Sequence, residues 1–140
     1  EKGKKEENLL MNMQKEINKY VKEKDEAIAE DLLLPILENI KSIDNYSLIV
    51  NTIIKNIKND NNALLFSNLI LKYSDKVSFR DIEIESLHKL YSMSLKSQLA
   101  SVRIFAIQNL KNDPESFNNF QSQLFDLKNS EKNAKVLNLL

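Results

Sequence analysis

A single glycine, Gly3, and two prolines, Pro35 and Pro114, are all the backbone punctuation that 140 residues receive. Tight hairpins draw on glycine for positive φ, so a fold of strands joined by short turns has almost no turn chemistry here. Helices joined by polar turns of Asn, Asp and Ser remain, and the chain is expected to be all-α. The same scarcity excludes the glycine-rich phosphate cradles of nucleotide-binding folds.

Charge and residue type narrow the chemistry further. Lys plus Arg equal Asp plus Glu at 20 each, so the footprint of a protein that tracks nucleic-acid phosphates is missing and no nucleic-acid partner is expected. Cysteine is absent and His88 is the only histidine, which removes the ligand sets of structural zinc and the Cys-His pairs of thiol catalysis. No cofactor, no metal site and no enzymatic activity are expected. No apolar run approaches the ~20 residues that span a bilayer, and the opening "EKGKKEEN" is not a signal peptide as it stands. Arginine occurs only as Arg80 and Arg103 while asparagine is abundant, a bias read as that of an AT-rich genome.

Apolar spacing places the helices. Leu10, Met13, Ile17, Tyr20 and Val21 recur at three- and four-residue steps and predict a helix over 5–24. A second is expected over 25–43, kinked or restarted near Asp31 because Pro35 interrupts the hydrogen-bond ladder. Leu48, Ile49, Thr52, Ile53 and Ile57 face inward from a third over 45–58, which ends in the turn "KNDNN". The fourth runs over 61–74 with Leu65, Phe66, Leu69, Ile70 and Tyr73 inward. The fifth, from Ser78 to about Leu95, carries Ser78 and Asp81 as a capping pair and is apolar around most of its circumference, so it is packed on two sides. A sixth begins at Ser97, and Asp113 before Pro114 starts a seventh that reaches Leu127. An eighth starts at Ser130.

Several residue groups invite a chemical reading. His88 is the sole candidate for an imidazole acid-base role, set against a partly buried, hydrogen-bonded side chain. Glu83 with Glu85, and Glu26 with Glu30 and Asp31, form carboxylate clusters that read as solvated helix faces. Lys15, Lys19 and Lys22 share adjacent turns of the first helix but are diluted by Glu16 and Glu23. "KNDNN" lacks the glycine and the terminal glutamate of a calcium loop. From "FNNFQSQLF" onward, Phe117, Phe120, Leu124 and Leu127 form one stripe with Phe125 offset from it, and of these Phe117, Phe120, Leu124 and Phe125 make a candidate stacking edge or partner-binding surface.

The sequence also matches itself. "IIKNIKND", from Ile53, falls on "AIQNLKND", from Ala106, and the same offset of 53 pairs Ile17 with Ile70, Tyr20 with Tyr73, and Leu34 with Leu87. Units of three helices are therefore expected over 8–60 and 61–113, with a partial third over 114–140.

"LASVRIFAIQNL", with Val102, Arg103, Ala106 and Leu110, resembles the second helix of a HEAT repeat, and "DLLLPILENI" is similar to the first-helix pattern in which a proline follows leucines. A three-helix unit leans toward the related armadillo family, whose units of roughly 40 to 47 residues are shorter than the one here. The resemblance implies a right-handed α-solenoid of about eight helices and two and a half units, grouped by stacking. It also implies a structural, inter-helix role for Arg103. The family's aspartate six residues earlier is Ser97 here, so the partner is sought among Asp81, Glu83 and Asp113. The function implied is a non-catalytic scaffold that grips a protein or peptide. One competing expectation is a compact helical bundle, displayed at a cell surface or in a periplasm, that binds a host or envelope protein; another, a HEAT-like nucleic-acid binder, would need a basic concave groove that the zero net charge does not advertise.

Overall fold

The computed structural model describes residues 2–40, 46–57, 60–73 and 79–140, and among them there are helices and turns but no strand. The helices are α1 (Lys2–Lys22), α2 (Glu26–Ile40), α3 (Tyr46–Asn56), α4 (Asn61–Tyr73), α5 (Ile84–Leu95), α6 (Ala100–Lys111), α7 (Pro114–Asn119), α8 (Gln121–Ser130) and α9 (Ala134–Leu139). The expected cap at Ser78, residues Lys58 and Asn59 of the "KNDNN" turn, and the side chains of Leu10, Glu26, Leu48, Ile49 and Tyr73 lie outside the described residues. No helix among those described is long and apolar enough to cross a membrane.

At four places the departure from the sequence reading has an identifiable physical cause. Helix α2 runs unbroken through Pro35 instead of restarting near Asp31. Pro35 and Asp31 are both exposed, so the carbonyl that loses its donor can be hydrated. Helix α5 begins at Ile84, after a separate 3-10 turn over Phe79–Asp81, because Asn51 of α3 holds the junction. The Asn51 side chain donates to the Asp81 carbonyl and accepts from the Glu83 N–H, both at 3.2 Å. The helix expected over 114–127 is two, broken at Phe120, which has φ −109° and ψ 6° and turns its ring into the core. The last helix starts at Ala134, not Ser130: Asn133 accepts from the N–H groups of Lys135 and Val136 and so caps α9.

Two helices organise the packing. α4 lies against α1, α3, α5 and α6, and α6 lies against α4, α5, α7 and α9. The fully buried side chains Ile54, Phe66, Leu90, Tyr91, Ile107 and Leu110 come from α3 to α6 and meet there. Tyr20 of α1 joins them by an edge-to-face contact with Phe66, 6.1 Å between centroids. α5 packs against α3, α4 and α6, as expected of a helix covered on more than one side.

Asparagines bind the helix ends together. Asn62 of α4 donates to the carbonyls of Tyr20 and Glu23 at 2.9 and 2.7 Å, capping the C-terminal end of α1. Asn61 accepts from the Ser97 hydroxyl at 2.6 Å and so ties α4 to the α5–α6 turn. In the core, Asn68 of α4 donates to Leu64 O and to Ser94 of α5, and its Oδ1 accepts from Asn109 of α6 at 2.9 Å. All three side chains of this last group are buried.

Candidate functional site

Arg103 lies in the first turn of α6, on a helix that is otherwise largely apolar on its packed faces. Its Nε and Nη2 donate to the two carboxylate oxygens of Glu131 at 2.8 and 2.9 Å, and its Nη1 donates to the Ser97 carbonyl at 2.7 Å. The two side chains are only 15% and 4% exposed. Glu131 is the C-cap of α8, so the pair ties the start of α6 to the α8–α9 turn. This fork-to-fork geometry is the strong form of a charged hydrogen bond.

The partner is therefore none of Asp81, Glu83 and Asp113. Glu83 pairs with Lys55 at 3.0 Å, and Asp113 caps α7. Position 97, where the resembled family has an aspartate, contributes its backbone carbonyl in place of a carboxylate. Burial pushes the Glu131 carboxyl upward. The Arg103 guanidinium and the N–H groups of Asn133 and Lys132 outweigh burial and hold the group below its ordinary value.

An open groove of about 600 Å³ lies over this pair, lined also by Lys96, Gln123, Asp126 and Lys132. Its lining carries both signs of charge, and its arginine and glutamate are already committed to each other. That floor offers no net preference for an anion or a cation.

A second groove, of about 320 Å³, opens between α6, α8 and the end of α9. Ile107 and Leu124 form its buried floor, Phe117 and Leu139 its half-buried walls, and Phe125 an exposed rim at 65% exposure. Of the four residues expected to make a stacking or partner-binding surface, Phe117, Leu124 and Phe125 do share this groove. Phe120 does not. The break between α7 and α8 directs it inward against His88 and Tyr91, with ring centroids 5.4 and 5.8 Å away.

His88 sits in a packed helix junction. Its Nε2 is 3.4 Å from the Ser116 hydroxyl, but Ser116 is buried and Asp113 accepts from the Ser116 N–H, not from the imidazole. A nucleophile relay needs the base between the hydroxyl and an orienting carboxylate, and the order here is different. The Tyr91 hydroxyl and Asp113 Oδ2 are both buried, and neither closes a hydrogen bond of ordinary geometry. Burial, and then the neighbouring Asp113 carboxylate, drive the Tyr91 phenol far above its ordinary pKa.

The remaining groups stay apart. Lys15, Lys19 and Lys22 are exposed on α1, as are Glu30, Asp31 and Glu85 on their own elements. No group of three His, Asp or Glu side chains that could hold a metal ion occurs among the described residues. Set against protein-family models, curated proteins and solved structures, the chain finds no match.

Proposed function

We propose that the chain is an armadillo- or HEAT-like helical-repeat module that binds another protein and performs no catalysis. The observation that carries this is the open apolar groove rimmed by Phe125. An exposed aromatic over a buried aliphatic floor, flanked by polar residues, is the anatomy of a protein-binding surface.

The repeat part of the proposal draws on the offset of 53. At that spacing α1 falls over α4, α2 over α5 and α3 over α6. Ile53, Ile54 and Ile57 fall on Ala106, Ile107 and Leu110, all buried, and Ile17 falls on Ile70, also buried in both. The middle helices diverge: Leu34 is 63% exposed where Leu87 is 1% exposed.

The test is site-directed photocrosslinking in a lysate of the source cell, with the crosslinker at Phe125 and, as a control, at Lys15. The expected result is one protein adduct from position 125 and none from position 15. Adducts absent from both positions would remove the binding reading.

A further inference from the structure

We infer that the groove between α6, α8 and the end of α9 receives the apolar face of an acidic amphipathic segment from a partner protein. The inference rests on the binding reading above and adds the partner's chemistry.

Gln121, Leu124, Phe125 and Lys128 stand at i, i+3, i+4 and i+7 on α8, so one wall of the groove is a continuous helix stripe. Across from it, Ile107 and Lys111 stand at i and i+4 on α6. Two helix faces with an apolar seam between them form the receiving half of a helix-in-groove interaction, which is read by anchors at i, i+3 or i+4, and i+7.

Size limits the occupant. The volume of about 320 Å³ is at the low end of the ~300–1,000 Å³ range of ligand pockets, and the groove is open along its length. A few side chains from an extended or helical segment fit such a site, whereas a small molecule would be left with much of its surface in water.

Charge selects the chemistry. Among the side chains that line the groove, those of Lys111 and Lys128 are the only charged ones. Both are exposed, and neither makes an ion pair among the described residues. The whole chain has a net charge of zero, so the cationic character is local to this seam and absent from the overall field. The larger groove over Arg103 carries both signs and makes no such selection. Carboxylates flanking the apolar anchors of a partner would meet the two ammonium groups at the rim, where charge complementarity governs choice of partner and rate of encounter.

The experiment uses the full chain and two labelled peptides of about 16 residues, each with leucine at i, i+3, i+4 and i+7, the remaining positions glutamate in one and lysine in the other. Fluorescence anisotropy at low and moderate salt should show the glutamate peptide binding at least about tenfold more tightly than the lysine peptide, with the gap narrowing as salt rises. The double substitution Lys111→Glu with Lys128→Glu should invert that preference, and Phe125→Ala should weaken both. All three positions are exposed, so the variants are expected to keep the wild-type circular dichroism and urea midpoint, which are checked first. Equal affinities for the two peptides, binding of neither, uptake only by vesicles of phosphatidylserine and phosphatidylcholine, or a dimer in sedimentation that Phe125→Ala abolishes would each overturn the inference. If a protein adduct forms at position 125 but survives the double charge reversal, the binding reading stands and the acidic partner falls.

Discussion

At Arg103 every guanidinium nitrogen has an acceptor, and the carboxylate that takes two of the bonds is nearly inaccessible to water. Removing one partner of such a pair leaves a buried charge uncompensated, which costs about 3–5 kcal/mol, whereas replacing both by apolar groups of similar volume is far milder. Arg103→Met should therefore lower the unfolding free energy in urea at neutral pH by about that amount, and Arg103→Met with Glu131→Leu should recover most of it. An unchanged urea midpoint in the single variant would show that the pair is not holding the α8–α9 turn. Acid should act on the same contact. Because the folded-state pKa of Glu131 is lowered from 4.5, its contribution is fully present above that value and is lost as the pH falls through the lower folded-state value. The wild-type midpoint should drop on acidification below 4.5 more steeply than that of the double variant, which has no carboxylate at 131. The arginine itself is legible in the sequence as a charge inside an apolar block. Its partner is not, because Glu131 lies in a different turn and no periodicity connects the two positions. The asparagines are a similar case. Their number is plain in the sequence, but not that Asn51, Asn61, Asn62, Asn68 and Asn109 each close a contact between elements.

Among the elements, α2 carries an avoidable penalty. Pro35 stands well inside the helix and is exposed, so its ring removes a backbone hydrogen bond with no packing in return that the sequence pattern requires. Pro35→Ala is expected to stabilise the protein by about 1–3 kcal/mol, partly offset by the freer unfolded chain, and a higher thermal midpoint would register it. A lower midpoint would mean that the proline is needed to seat Ile36, which is fully buried. Phe120 shows the opposite balance: it interrupts a helix that spacing alone would continue, and its ring contacts both His88 and Tyr91. Phe120→Ala should cost about 3–5 kcal/mol in urea unfolding, as for other buried aromatics, while Phe125→Ala one turn later should cost little. The all-helical class and most inward faces follow from three- and four-residue spacing and from the near absence of glycine, although Thr52, expected to face inward, is exposed. The break at Phe120 and the late start of α5 do not, because both are decided by side chains from distant helices that outweigh local propensity.

Across the whole molecule, α4 and α6 are the helices through which the others meet. Native-state hydrogen exchange should therefore be slowest in α4 and α6 and faster in α2 and α9, which have fewer neighbours. Equal protection in α9 would contradict a core centred on that pair. The groove lies against α6, which supplies both the floor residue Ile107 and the rim residue Lys111. Binding there loads a helix whose opposite side is locked to α4 by the Asn68–Asn109 amide contact. Helices that touch only through aliphatic ridges can creep along one another, since one methyl group fills a hollow much as another does. A buried amide pair behaves as a detent: a slip of a single residue, about 1.5 Å along the axis, would strand the donor of one side chain and the acceptor of the other away from water. A pull on the groove would therefore be transmitted through α6 as a rigid lever instead of being dissipated as shear between α4 and α6.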